Sequence, residues 1–311
     1  MTSLYLKLND GHAIPAVGLG TFQSKVGEVA DAVYHALADS KYRHIDCAHF
    51  YLNEKEVGEG LKRAIETERV KREDIFITTK VWPSFHDKVN QSLEESLKNL
   101  GVDYVDLVLI HWPVTLNSNG NDLFMPTRSD GSIDVDERGS LREFWRQLEQ
   151  AKKYGKAKSI GVSNFSVKVL KKLIAEVEIV PAVNQIESHV RLPQQDIVDY
   201  CAQNGILVEA HTPFGSTGSP FFKIPEVEKL AKKYGASPAT ILSSYHVSRG
   251  VVVLPKSVSP SRIESNIKIL QLDKADLDLL GTIHAKYGLY RHAKPTFGVD
   301  LGFPDWDGQS W

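Results

Sequence analysis

Short, almost continuously apolar runs recur along this chain, and between most of them lies a segment with apolar residues three and four positions apart. The runs are "VGLGTF" (17–22), "RHIDCA" (43–48), "DIFITTKVW" (74–82) and "YVDLVLIHW" (104–112). They continue with "KSIGVSNF" (158–165), "AVNQIES" (182–188), "ILVEAHTP" (206–213) and "VVVLPKS" (251–257). Strands that are apolar on both faces belong to parallel sheets. The intervening pattern, as in "VGEVADAVYHALADS", "LREFWRQLEQAKKYG" and "PEVEKLAKKYG", has the helical period. Several of these segments close on a glycine just past the last turn, at Gly101, Gly155, Gly205 and Gly235. Eight strands alternating with helices predict an α/β fold, the (β/α)8 TIM barrel. The rival is a doubly wound sheet, which loses ground because no G-x-G-x-x-G follows any strand. Ahead of the first run, "LYLKL" and "HAIPAV" flank Asn9-Asp10-Gly11 and predict an N-terminal β-hairpin.

The longer irregular stretches lie after strands. "VTLNSNGNDLFMPTRSDGSIDVDERGS" follows the fourth run and "FGSTGSPFFKI" the seventh. The last 25 residues, from Tyr287, carry six aromatics, too many for a disordered tail. A tail of that kind is expected to fold over the active-site mouth. No linker, repeat or low-complexity segment interrupts the 311 residues, so residues 1–311 are read as a single domain.

Composition narrows the function. With 37 basic and 39 acidic residues there is no basic excess for nucleic acid. The apolar runs fall short of a membrane span. The N-terminus lacks the charged and apolar regions of a secretory signal. Cys47 and Cys201 are too few and too isolated for a disulfide framework or a zinc cluster. The expectation is a cytoplasmic protein without a resident metal, acting on a small molecule, as a monomer or else a dimer.

The C-terminal ends of the strands carry the chemistry. Asp46 ends the second strand, with Tyr51 close behind. Lys80 and Trp82 end the third, His111 and Trp112 the fourth. Ser163 and Asn164 end the fifth, Gln185 the sixth, His211 and Thr212 the seventh, and Lys256 and Ser257 the eighth. Any one of these has an ordinary structural reading, because a lone strand-end His or Lys is commonly a core or ion-pair residue. Together they put an acid, a phenol, an ammonium and an imidazole into one small volume. A phenol with a reference pKa of about 10 is a poor acid near neutrality. A neighbouring Lys80 ammonium favours its phenolate, and Asp46 can keep that ammonium charged and in place. His111 can orient the oxygen that Tyr51 protonates. Such a group protonates a carbonyl or deprotonates an alcohol, and needs a bound hydride donor to complete the reaction. In "LPKSVSPSRIESN", Ser259 as N-cap and Pro260 as first helical residue, with Lys256 and Arg262 alongside, predict an anion pocket.

These residues resemble the aldo-keto reductases. "GLGTF" (18–22), "RHIDCAHFYLNEKEVGEGL" (43–61), "VDYVDLVLIHWP" (102–113), "KAKSIGVSNFS" (156–166), "PAVNQIE" (181–187) and "VVLPKSVSPSRIESN" (252–266) follow that family's motifs in order. The resemblance implies a barrel closed at its bottom by the hairpin, and NADPH or NADP+ bound without a Rossmann fold. It implies Tyr51 as general acid, tuned by Lys80 and Asp46, with His111 orienting the carbonyl. It further implies Ser163, Asn164 and Gln185 on the carboxamide, and Lys256, Ser257 and Arg262 on the adenosine 2′-phosphate. Asn266 would face the adenine, and Thr21, His211, Thr212, Phe214 and Ser216 would complete the cofactor site. Phe22, His49, Phe50, Trp82 and Trp112 would line the substrate pocket, along with parts of the tail, and Cys47 would be filler.

Three positions depart from the family pattern. His211 stands where members commonly carry a Tyr that stacks on the nicotinamide, and an imidazole offers a smaller face that can become charged. Ser265, with Glu264 before it, replaces the usual Glu or Gln beside the adenine Asn. Phe22 replaces the more common Trp of the pocket. The strand-four loop resembles the fungal glycerol dehydrogenase and glyceraldehyde reductase branch. The expected activity is NADPH-dependent reduction of aldehydes, including sugars and hydroxyaldehydes. Reduction of ketones or keto-acids, or dehydrogenation of a polyol such as glycerol, is the alternative on the same site. A non-catalytic NADPH-binding subunit is the alternative of another class. Against it stands the intact set of Asp46, Tyr51, Lys80 and His111.

Overall fold

The computed structural model describes residues 4–216 and 218–306. Strands β1 (Tyr5–Lys7) and β2 (Ala13–Pro15) pair antiparallel around a turn in which Gly11 takes φ 91°. Eight parallel strands follow: β3 (Leu19–Gly20), β4 (His44–Asp46), β5 (Phe76–Val81), β6 (Val105–Ile110), β7 (Ala157–Ser163), β8 (Val183–Glu187), β9 (Leu207–His211) and β10 (Val252–Val253). Each hydrogen-bonds the next in chain order, and the sheet closes where Val17 meets Val253 and Gly20 meets Lys256 in parallel bridges. Seven of the eight runs singled out in the sequence contain one of these strands, and the eighth, 158–165, overlaps β7, which starts one residue earlier. Gly18 at the closure has a packing reason: a Cβ there would lie 2.7 Å from both His44 Nδ1 and Leu254 Cδ2.

The helices are α1 (Val29–Ala38), α2 (Glu54–Glu66), α3 (Val89–Leu100), α4 (Leu141–Lys153), α5 (Val167–Ile174), α6 (Gln195–Gln203), α7 (Pro225–Tyr234), α8 (Pro238–Ser248), α9 (Pro260–Asn266), α10 (Lys274–Gly281) and α11 (Ile283–Tyr287). Gly101, Gly155, Gly205 and Gly235 all take positive φ at helix ends. The helical period does not reveal α8. Nine of its eleven residues are buried, so it has no polar face to alternate with an apolar one. Ser259 stands at the N-cap of α9, with Pro260 first in the helix. Its side chain bonds Ser261 Oγ instead of capping the helix.

Three apolar clusters hold the fold. The largest packs the outward faces of the strands against helices α1 to α6. A second joins α7, α8 and α10. The third fills the lower barrel interior, where Leu8 and Ile14 of the hairpin meet Phe76, Leu107, Leu109 and Leu254. The hairpin therefore stops the bottom of the barrel. Its turn is pinned by Asn9 to the Pro181 carbonyl at 3.0 Å and by Asp10 to Lys152 at 2.7 Å.

Two irregular segments roof the opposite end. The loop after β6 folds on itself through the bridges Leu116–Val135 and Thr127–Ile133. The tail buries Phe297, Leu301, Phe303 and Trp306; Trp311 lies outside the described residues. Glu187, the last residue of β8, anchors that tail. Its carboxylate accepts hydrogen bonds from His189 Nε2 (2.9 Å), the His292 backbone N–H (2.7 Å) and the Ala293 backbone N–H (2.6 Å). Arg291 adds a two-pronged contact to Asp305, at 2.7 and 2.9 Å, and a bond to Gln194.

Burial of Glu187 opposes its ionisation, but the His189 donor and the tail N–H groups outweigh it and hold the carboxyl at about 2. A carboxyl depressed in the folded state stabilises above its ordinary value, and that contribution disappears as pH falls through the folded value. Thermal melts should therefore lose stability from about pH 4.5 down to about pH 2 in the native protein. Glu187→Gln should be less stable at neutral pH and lose less over that acid range.

Candidate active site

Asp46 closes β4, and Lys80 lies one strand away on β5 with almost no exposed surface. Lys80 Nζ is 2.8 Å from both Asp46 oxygens, 3.0 Å from the Cys47 carbonyl and 3.1 Å from the Tyr51 hydroxyl. Tyr51 reaches this point because the chain leaves β4 through a single 3₁₀ turn, His49–Tyr51, that ends on Leu52 in the left-handed region. The His111 ring stands edge-on to Tyr51, with centroids 5.7 Å apart, and edge-on to Trp82 at 5.0 Å. The four residues singled out as catalytic thus share one volume at the C-terminal mouth of the barrel.

The electrostatics correct one expectation. Lys80 does favour the Tyr51 phenolate, but burial of the phenol outweighs it, and Tyr51 is pushed up to about 12. The phenol is therefore protonated at neutral pH. Burial pulls the Lys80 ammonium down while Asp46 and Tyr51 push it up, and the carboxylate prevails. Burial, and then the Lys80 charge, hold His111 well below the usual imidazole value, so it is neutral. Its Nδ1 is buried without a hydrogen-bond partner among the described residues.

Beside this group, the ends of β7, β8 and β9 form a polar cradle. Ser163 Oγ donates to the Gln185 carbonyl at 2.9 Å, and Asn164 Nδ2 donates to the His111 carbonyl at 3.0 Å. Asn164 and Thr212 sit at φ 62° and 56°, a conformation non-glycine residues rarely take outside constrained sites. The His211 ring is held by its edge, with Nε2 3.2 Å from Asn164 Oδ1 and Nδ1 2.9 Å from Thr212 Oγ1. Burial lowers it to about 4, so the charge that an imidazole could bring to this position is absent at neutral pH.

The remaining predicted residues divide. Gln185 Nε2 donates to Asp46 at 2.8 Å and to Glu209 at 2.9 Å, so both hydrogens of its amide nitrogen are engaged by carboxyl groups. Thr21 spends its hydroxyl on the Asp46 carbonyl at 2.9 Å. Phe214 turns into the second apolar cluster, 5.1 Å from Phe222, and Ser216 lies half-buried beyond it at φ 69°. His49 turns toward α3, with Nε2 3.2 Å from Glu95 and Nδ1 3.3 Å from Ser92. Across the mouth, exposed Lys256 lies near Arg262; burial of the amine, and then the Arg262 charge, lower the Lys256 ammonium against the opposing pull of the Glu28 carboxylate. Neither cation has a salt-bridge partner among the described residues. Ser257 and Asn266 are buried beside them. Glu264 is drawn to His35 on α1 at 3.3 Å, and Ser265 bonds back to the Arg262 carbonyl.

The pocket wall is aromatic. Trp82 stacks on Phe50 at 3.8 Å and Phe22 leans on Tyr51 at 4.8 Å. Trp112 meets Phe297 and Trp306 of the tail. Sequence reasoning missed Phe124, whose carbonyl takes the Trp82 indole N–H at 2.6 Å and whose ring lies 5.4 Å from Phe50. The apolar "LFMP" inside a polar loop was its only signal. It also missed Glu209, marked by a carboxylate within an otherwise apolar strand.

A protonated phenol against a buried ammonium, beside an aromatic pocket and a polar cradle, defines a carbonyl oxidoreductase. The chain belongs to the aldo/keto reductase family, whose model matches residues 16–285. It is 51% identical to a D-galacturonate reductase of Hypocrea jecorina, over 98% of this chain and 99% of that one. It is 44% identical to a glycerol 2-dehydrogenase (NADP(+)) of Saccharomyces cerevisiae, over 94% of each chain. Its fold matches an aldose reductase structure from Schistosoma japonicum with a TM-score of 0.87, at 39% identity and 94% coverage of both chains. Among the described residues, no helix is long and apolar enough to cross a membrane.

The ion pair and the phenol should separate in stability measurements. Asp46→Ala leaves a buried ammonium without its counter-charge and should cost about 3–5 kcal/mol. Tyr51→Phe removes one hydrogen bond to the ammonium and should cost about 1.5–3 kcal/mol. Chemical denaturation of the two variants checks the contrast.

Proposed function

We propose that this protein reduces the aldehyde group of a small hydroxylated substrate with NADPH, Tyr51 delivering the proton to the carbonyl oxygen. The single observation that carries the reading is the Tyr51 hydroxyl 3.1 Å from Lys80 Nζ, itself clamped by Asp46. A bound nicotinamide supplies the hydride for the carbonyl carbon. Tyr51 arrives protonated because burial keeps it so, and the phenolate left behind faces the Lys80 ammonium at once. His111 is neutral and can present a ring N–H to the same oxygen, holding it in line with the phenol. Aromatic side chains exclude water around that oxygen.

The residues present fit the cofactor. His211 is pinned by its edge, which leaves its face for the nicotinamide ring, and a neutral imidazole does not repel the oxidised, cationic form. Ser163, Asn164 and Gln185 would hold the carboxamide, and Asn266 the adenine. Lys256 and Arg262, two neighbouring cations without a salt bridge among the described residues, together with Ser257, suit a 2′-phosphate. The D-galacturonate reductase and glycerol 2-dehydrogenase names of the relatives support a polyhydroxylated substrate and leave both directions of the reaction open.

Two measurements test this reading. With DL-glyceraldehyde, NADPH should be consumed much faster than NADH, and Arg262→Ala should weaken NADPH binding about tenfold or more while leaving NADH nearly unchanged. Equal rates with the two cofactors would remove the phosphate grip from the account. Tyr51→Phe should lower turnover by at least about 10²–10⁴-fold with NADPH binding retained. An active Tyr51→Phe protein would sink the proton-transfer assignment.

A further inference from the structure

Glu209 lies inside the barrel on β9 and has no exposed surface. Its Oε2 accepts from Gln185 Nε2 at 2.9 Å, and the other hydrogen of the same nitrogen goes to Asp46 Oδ2 at 2.8 Å. One amide therefore joins Glu209 to the carboxylate that clamps Lys80. Oε1 of Glu209 has no hydrogen-bond partner among the described residues. His44 Nε2 stands 3.7 Å from it but is bonded to Thr78 Oγ1 at 3.1 Å.

The ionisable groups facing Glu209 are His44 and Asp46 from β4 and Lys80 from β5. Its flanking strand β10 presents Val252 and Val253. Burial lowers His44 to about 4, so it offers no positive charge at neutral pH. The Lys80 charge is already matched by Asp46. A buried carboxylate without a counter-charge keeps its proton. Burial, and then the Asp46 charge, push Glu209 up to about 8.

We propose, resting on the function above, that Glu209 is a positioning residue acting through Gln185 and Asp46 on Tyr51, and that loss of its proton suppresses alcohol oxidation. In oxidation the site must accept the alcohol proton on the Tyr51 oxygen. A second negative charge beside Asp46 opposes the phenolate that has to be present for this step. Reduction leaves the same phenolate on Tyr51, so the charge slows that direction as well.

Glu209→Gln keeps an oxygen for the Gln185 amide and cannot ionise. Glycerol oxidation with NADP+ should flatten above about pH 8 in the native protein and go on rising in Glu209→Gln, to a gap of about tenfold one to two pH units higher. DL-glyceraldehyde reduction at neutral pH should be alike in both. Infrared titration of the native protein should show a protonated carboxyl stretch that disappears in mild alkali and is missing from Glu209→Gln. Superimposable oxidation profiles overturn the proposal even if that band behaves as described. A native protein without the band overturns it independently of turnover. If no substrate turns over, the function above fails, and the Tyr51 phenolate absorbance, taken against Tyr51→Phe, decides. It must titrate at lower pH in Glu209→Gln, and an unchanged titration refutes the coupling.

Discussion

Lys80 Nζ sits among two carboxylate oxygens, a backbone carbonyl and a phenol, almost wholly out of water. A charge so enclosed is tolerable only if its partners stay in place. That requirement reaches far from the residue itself. Asp46 must be held at the end of β4, and it is: its backbone carbonyl accepts the Thr21 hydroxyl and backbone N–H from the neighbouring strand end, while its side chain accepts the Gln185 amide from across the barrel. The Cys47 carbonyl is aimed inward by the Cys47 N–H bond to the Thr78 carbonyl on β5. Tyr51 meets the ammonium only because one 3₁₀ turn brings the chain back toward the barrel axis.

The barrel interior is layered by polarity to meet this demand. Apolar side chains, with Leu8 and Ile14 from the hairpin, fill the bottom and shut out water. Above them, His44, Thr78 and Glu209 form a neutral polar layer, the imidazole and the carboxyl both uncharged at neutral pH because nothing there balances a charge. Asp46 and Lys80 come next as an ion pair. Above that pair the aromatic wall supplied by loop and tail begins, with Trp82 fixed by the Phe124 carbonyl. That ion pair lies directly under the reacting oxygen.

Much of this was legible in the residues. The eight apolar runs, the Asn9-Asp10-Gly11 turn and the polar strand ends all follow from local rules of period and position. Asp46, Lys80 and His111 gather around the Tyr51 phenol because strand ends in a closed parallel barrel converge on one mouth. Helix α8 was not legible, since burial on every side erases the period that marks a helix. The Phe124–Trp82 bond was not legible either, because it joins side chain and backbone 42 positions apart with no pattern to announce it.

The sequence by itself determined the alternation of strands and helices, the order of the barrel, and the residue types that stand at each strand end. Those depend on neighbours a few positions away and on whether a run is apolar. Only the tertiary structure decided how those side chains share protons and partners. Tyr51 is pushed up rather than down because enclosure outweighs the nearby ammonium, and Gln185 is committed to the carboxylate of Asp46 and the carboxyl of Glu209, 139 and 24 positions away. The phenol of Tyr51, the imidazole of His211 and the carboxyl of Glu209 owe their protonation to burial and to charges brought together by the closed barrel. Such long-range terms have no signature in local sequence.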